Sequence, residues 1–157
     1  MAILVVSDSH GKVERIFKAI EENKERIDRV FFTGDGLDDI LLAKDEYKDI
    51  EFDYVAGNCD GYFAKPVEKI VNYNGKKILL THGHLYEGIS GQRRLLEKCK
   101  EEGINAVFSG HTHLKREEYI DNILFLNPGS IGRPFDGEPS YSIVEVDDKI
   151  KNIVCYI

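Results

Sequence analysis

Tryptophan is absent from this chain, methionine appears once, and cysteine appears three times. No apolar run approaches the ~20 residues that a membrane-spanning helix requires, so a helical membrane protein is excluded. The three cysteines, Cys59, Cys99 and Cys155, are odd in number and show no CxxC spacing. That argues against a disulfide framework and reads as three reduced thiols in a reducing compartment. Positive charge is also short: 21 Lys and Arg face 28 Asp and Glu, for a net charge of −7. A nucleic-acid partner is disfavoured, because it would need a basic stripe. No basic leader precedes the first core-like segment, so the expectation is no signal peptide and a cytoplasmic location. No linker, repeat or low-complexity stretch interrupts the 157 residues, and 42% of them are hydrophobic. A single domain spanning residues 1–157 is expected. Nothing in the sequence fixes the oligomeric state, although an oligomer is compatible with it.

What the chain does have is five histidines in three short clusters, each following an apolar run. Asp8-Ser9-His10 follows AILVV, His82-Gly83-His84 follows KILLT, and Gly110-His111-Thr112-His113 follows NAVFS. Histidines carried to the ends of several strands, and to nowhere else, suggest metal binding.

The hydrophobic pattern places these clusters. Ala2–Ser7 is a continuous apolar, β-branched run and reads as a buried strand. Lys12–Ile27 carries apolar residues at helical spacing (Val13, Ile16, Phe17, Ile20). Val30–Thr33 reads as a strand, Asp38–Tyr47 as a helix with acidic residues in its first turn, and Phe52–Ala56 as a third strand. This alternation argues for a parallel βαβ half. The second half changes style. Asn74-Gly75 between Val67–Tyr73 and Lys76–Thr81 is a hairpin signal. Gly91–Glu102 reads as a helix stopped by Gly103, and Ala106–Ser109 as a strand. Further hairpins are expected at Asp121-Asn122 and near Asp147-Asp148. The fold class is therefore α/β, with mixed sheets flanked by helices.

Side chains at i and i+2 of an extended segment share one side. On that basis Asp8 and His10 can converge, as can His111 and His113. Asp35, Asn58, His82 and His84 end further strands or follow them closely. In open α/β sheets ligands gather at the carboxyl ends of strands. Seven or eight candidate ligands exceed the four that one zinc takes and suggest two ions. Imidazole, carboxylate and amide ligands without thiolate favour Mn, Fe, Ni or Zn.

Taken in order, Asp8-x-His10, Gly34-Asp35, Gly57-Asn58-Cys59-Asp60, His82 and Gly110-His111-x-His113 resemble the five signature blocks of the calcineurin-like metallophosphoesterases. Asn127-Pro128-Gly129-Ser130 is similar to the NPGS loop of its small prokaryotic, YfcE-like phosphodiesterase branch. The resemblance implies two packed mixed β-sheets flanked by helices. It implies two divalent metal ions, with manganese the first expectation and nickel, iron, zinc or magnesium the alternatives. One ion would be held by Asp8, His10, Asp35 and His113, the other by Asp35, Asn58, His82 and His111. A hydroxide bridging them would attack a small phosphodiester substrate, with Asn58 and His111 beside the developing charge. Two ions (+4), Asp8 and Asp35 (−2) and the hydroxide (−1) leave a site of about +1, suited to a phosphate ester anion.

Many phosphomonoesterase relatives carry His where this chain has Cys59. A thiol is a poor substitute proton donor, which shifts the expectation toward diesters with good leaving groups. Asp60 is expected to orient a water or a neighbouring histidine. His84 is expected beside the ligands or the phosphate rather than on a metal. Arg133 is either a phosphate clamp or a solvated loop residue. The rival readings are a Vps29-like protein-binding scaffold and a phosphomonoesterase or nuclease of the same superfamily.

Overall fold

The computed structural model describes residues 1–157. Strand β1 (Ala2–Val6) is buried at every position. Its alternate residues serve two different cores. Ala2, Leu4 and Val6 face one cluster with helical partners, while Ile3 and Val5 face a second cluster between the sheets. A strand covered on both faces reads as an unbroken apolar run, which is what AILVV is.

Helix α1 (Val13–Glu21) leads to β2 (Ile27–Phe32), and α2 (Leu37–Glu46) leads to β3 (Glu51–Tyr54). The expected helix Lys12–Ile27 is too long at its C-terminal end. Buried Asn23 stops it by donating its amide to the Ala19 carbonyl at 2.7 Å, which closes the last turn. Ile27 then opens a strand. The second half holds β4 (Glu68–Tyr73), β5 (Lys76–Thr81), a single 3-10 turn (His84–Tyr86), α3 (Gly88–Glu102) and β6 (Ala106–Phe108). It ends in two hairpins, β7 (Lys115–Ile120) with β8 (Ile123–Pro128), and β9 (Ser140–Val146) with β10 (Ile150–Tyr156). Helix α3 starts three residues before the expected Gly91 and stops at Gly103, which is left-handed (φ 67°). All three expected hairpins are present. Asn74-Gly75 and Asp121-Asn122 both take positive φ at the turn.

Two five-stranded mixed sheets result, in the orders β10-β9-β1-β2-β3 and β4-β5-β6-β8-β7. Strands β1, β2 and β3 are parallel in the first; β5, β6 and β8 are parallel in the second. The layers run helix, sheet, sheet, helix. The core against α1 and α2 includes Ile16, Ile20 and Ile40; the core against α3 includes Leu79, Leu95 and Val107. The two-sheet arrangement agrees with the expected fold class. No helix is long and apolar enough to cross a membrane.

Cys99 lies fully buried in the α3 core, and burial pushes its thiol up to about 11. Cys59, by contrast, is exposed. Native protein at pH 8 is therefore expected to leave one thiol unreactive toward a thiol-specific reagent until it unfolds. Cys99→Val should abolish that slow fraction. Three fast thiols in the native state would show that this core opens readily.

Candidate metal centre

The parallel strands of both sheets point their carboxyl ends to one edge, and the loops there are knitted together by backbone hydrogen bonds. Asp8 N–H donates to Gly34 O at 2.9 Å and His10 N–H to Asp35 O at 3.1 Å. Gly110 N–H donates to His82 O at 3.0 Å, and Ile131 N–H to Ser7 O at 3.1 Å. Residues from β1, β2, β5 and β6 are thereby held at one point.

Asp8, His10, Asp35, His82 and His113 meet there. His113 Nε2 lies 3.2 Å from Asp8 Oδ1 and 3.2 Å from His10 Nε2. His82 Nε2 lies 3.3 Å from Asp35 Oδ2 and 4.0 Å from Asp8 Oδ1. His10 Nε2 lies 3.9 Å from Asp8 Oδ1 and 3.8 Å from Asp35 Oδ2. With metal–ligand bonds of about 2.1 Å, two ligands are about 3.0 Å apart at right angles, 3.4 Å at the tetrahedral angle and 4.2 Å when opposite. All six separations fall inside that range.

Tautomers sharpen the point. His82 Nδ1 is 2.8 Å from Thr33 O, and His113 Nδ1 is 2.6 Å from Arg133 O. A carbonyl can only accept, so each Nδ1 carries the proton and each neutral Nε2 presents a lone pair inward. Those lone pairs face carboxylate oxygens. Asp8 Oδ1 and His82 Nε2 are buried without a hydrogen-bond partner. Electron-rich atoms gathered in this way need a cation among them. Without metal a proton takes that part. Burial pulls the pKa of His82 down, but the close contact with Asp35 and the charge of Asp8 outweigh it and raise it. Burial also lifts Asp35, yet contacts with His82 and the Cys59 N–H hold it well below the usual carboxylate range. Burial dominates at Asp8, whose pKa is raised despite His82, Ser7 and His113. The residues present thus fit a divalent cation.

The backbone shows why so few other arrangements would work. Asp8, His10, Asp35, His111 and His113 all have positive φ, between 46° and 70°. The convergence of Asp8 with His10 does not come from alternation along an extended strand, as the spacing suggested. Strand β1 ends at Val6, and β6 ends at Phe108 before its own cluster. Left-handed loop residues bring Asp8 and His10 together, whereas His111 turns toward His82 and Glu87 and His113 toward His10 and Asp8. Such conformations cost about 1–3 kcal/mol each and persist only where the surroundings enforce them. Glycines provide the room. A Cβ on Gly57 would stand 2.1 Å from Asp35 Oδ1, and one on Gly110 would stand 1.9 Å from Ser7 Oγ.

The other expected residues have different surroundings. Asn58 is exposed, with its amide nitrogen 3.6 Å from Cys59 Sγ. His111 packs its ring 5.1 Å from that of His82, and its Nε2 lies 2.5 Å from Glu87 Oε1. His84 opens the 3-10 turn, its ring 5.5 Å from that of His82; burial and the neighbouring His82 and His111 lower its pKa. Cys59 contributes its backbone N–H to Asp35 Oδ1 at 2.8 Å. Arg133 is exposed and meets the centre through its backbone carbonyl, not its guanidinium.

Asp60 is a correction. It was expected to orient a water or a histidine. Its two oxygens instead accept four backbone N–H groups, from Asp35, Gly36, Leu37 and Gly57, at 2.7–2.8 Å. It clamps the Asp35 loop and the start of α2 to the Gly57 loop. Asp39, read from sequence as a helix-start residue, accepts from Ser9 Oγ (2.6 Å) and Gly11 N–H (2.8 Å) and so ties α2 to the Asp8–His10 loop. Asn127 donates to Gly110 O at 2.7 Å, and Ser130 Oγ donates to Asp8 O at 2.8 Å, which explains the NPGS motif as a brace for two ligand loops. Glu87 was missed altogether: nothing in its local sequence sets it apart from any exposed loop glutamate.

The model of the calcineurin-like phosphoesterase superfamily domain matches residues 1–149. This chain belongs to that family. A phosphodiesterase of Methanocaldococcus jannaschii is 29% identical to it, covering 95% of each chain. The crystal structure of a predicted phosphoesterase from Streptococcus pneumoniae superposes with a TM-score of 0.84 at 30% identity, covering 99% of this chain and 88% of that one. Two more distant structures share the fold: YfcE of E. coli (TM-score 0.70, 22% identity, 94% of this chain and 90% of that one) and zinc-bound Vps29 of Entamoeba histolytica (0.74, 22%, 99% of each). The family and its relatives indicate a phosphoesterase hydrolase, and the family implies divalent metal ions.

Proposed function

We propose that this chain is a binuclear metal phosphodiesterase acting on a small diester. The observation that carries the reading is the pair of inward lone pairs, His82 Nε2 and His113 Nε2, each 3.2–3.3 Å from a carboxylate oxygen. Asp8, His10, Asp35 and His113 would hold one ion; Asp35, Asn58, His82 and His111 the other. Bound divalent ions supply positive charge to the phosphoryl oxygens and lower the pKa of water to near neutrality.

The chain's own residues do the rest. The Thr33 and Arg133 carbonyls keep His82 and His113 in the tautomer that faces inward. Asp60 and Asp39 hold the loops that carry the carboxylates, so the charge is in place before substrate arrives. Asn58 and Cys59 are exposed on the loop whose Cys59 N–H donates to Asp35 Oδ1. A thiol at position 59 offers no imidazole to protonate a poor leaving group. Diesters with good leaving groups are the matching substrates.

The test is to strip the protein with chelator and restore Mn, Ni, Mg or Zn singly, with an aryl phosphodiester assayed beside an aryl monoester. Turnover should return with at least one metal and favour the diester. No turnover with any metal would overturn the enzyme reading and leave the scaffold reading in place; a monoester preference would overturn the argument from Cys59. Metal at a hundredfold excess over its Kd should also stabilise the fold by ~2.7 kcal/mol. That is about 5–10 °C in Tm for a chain of this size, measurable by thermal denaturation.

A further inference from the structure

The geometry points to Glu87 as a positioning residue for His111, the outer carboxylate of a carboxylate–histidine–metal relay. This rests on the binuclear reading above and adds a residue to it. Histidines that ligate metal almost always donate their other ring N–H to a carbonyl or carboxylate, which fixes tautomer and ring orientation. His82 and His113 meet this rule with Thr33 O and Arg133 O. His111 meets it with Glu87 Oε1, 2.5 Å from its Nε2. The polarity is reversed. His82 and His113 give Nδ1 to the outer partner and turn Nε2 inward, whereas His111 gives Nε2 and keeps Nδ1 for the ion.

The position of Glu87 suits this part. It is the residue before α3, where a carboxylate would ordinarily cap the helix or complement its dipole. Its side chain makes no cap hydrogen bond. It crosses instead to His111, on the loop after β6, and that is its one ion pair. The same backbone stretch follows the His82–His84 segment through the 3-10 turn His84–Tyr86. One crossover connection therefore supplies His82 and the carboxylate that orients His111. The His111 ring packs against the rings of His82 and His84, but Glu87 is its one hydrogen-bond partner. Its side chain is 25% exposed, and the other anchor on the residue is its backbone N–H, which donates to Asp8 Oδ2 at 3.1 Å. A part-exposed ring with two rotatable bonds needs a fixed partner if it is to meet an ion in one orientation.

The experiment uses metal binding, not turnover. Metal-free wild type and the variants Glu87→Ala and Glu87→Gln are titrated with Mn(II) by calorimetry. Zinc-loaded samples are examined by long-range 15N–1H NMR at the His111 ring. Wild type should bind two ions. Glu87→Ala should weaken one binding event by about 10–100-fold and leave the other unchanged. Glu87→Gln, whose amide oxygen still accepts from Nε2–H, should recover part of the loss. The His111 ring should show the Nε2–H form in wild type and a mixture in Glu87→Ala. Unchanged affinities in Glu87→Ala, or a His111 ring carrying its proton on Nδ1, would overturn the proposal while two-ion binding still stood. Wild type binding fewer than two ions would overturn the binuclear reading beneath it.

Discussion

Asp35→Asn is expected to cut metal-dependent turnover by about a thousandfold, because it removes the charge that two histidines face. Asp35 Oδ2 is 3.3 Å from His82 Nε2 and 3.8 Å from His10 Nε2. Asparagine keeps the shape and an oxygen for the Cys59 N–H, but it carries no negative charge to hold a divalent cation. Metal charge at such a centre is worth several kcal/mol to the transition state, and about 4 kcal/mol is three decades in rate. Thermal stability of the metal-free variant should also fall somewhat near neutral pH. Contacts with His82 and the Cys59 N–H hold the Asp35 pKa down, so its charged form favours the folded state, and asparagine forgoes that contribution. The readouts are kcat with the best metal, Mn affinity by calorimetry, and Tm in chelator. Undiminished turnover would sink the enzyme reading.

Asp60→Ala is the contrasting case, with damage to the fold first and to the metal second. Four backbone N–H groups lose their acceptor together. Hydrogen bonds to a charged group contribute about 1.5–3 kcal/mol each, and water can reclaim some of them at this half-buried position. A net loss of about 3 kcal/mol is expected, which is a Tm drop of about 6–12 °C. Metal affinity should fall by about 10–100-fold because the Asp35 loop is no longer fixed. Asp60→Asn should do nearly as much harm, since its NH2 group would confront backbone donors. A wild-type Tm in Asp60→Ala would mean that solvent satisfies these groups unaided.

Much of the centre was legible from residue chemistry. A histidine is hard to place without a reason, and five of them after apolar runs marked the strand ends correctly. Turn signals did as well, since Asn74-Gly75 and Asp121-Asn122 state their own backbone geometry. The end of α1 was not legible, because helical periodicity continues past Glu21 and the stop is a tertiary matter: Asn23, which closes the last turn, is itself held by Tyr141 of β9. The i and i+2 spacing gave Asp8 with His10 for the wrong reason, while His111 and His113 turn to different neighbours. It assumed extended chain where Asp8, His10, His111 and His113 are left-handed. Asp60 was placed in the right region with the wrong task, because a carboxylate's choice between water, imidazole and backbone depends on which N–H groups other loops bring to it.

By itself the sequence determined the alternation of strands, helices and hairpins, and it named Asp8, His10, Asp35, His82 and His113, which the structure gathers at one point. Those follow from local propensity, hydrophobic period and side-chain chemistry, which act within a few residues. Only the tertiary structure decided which ring nitrogen of His82 and His113 turns inward, that Asp60 and Asp39 brace loops, and that Glu87 reaches His111. These depend on Thr33, Arg133 and Glu87, residues 49, 20 and 24 positions away from the rings they hold. A hydrogen-bond partner at that separation exists only once the chain has folded, across the two sheets for Thr33 and along one β5–α3–β6 crossover for Glu87.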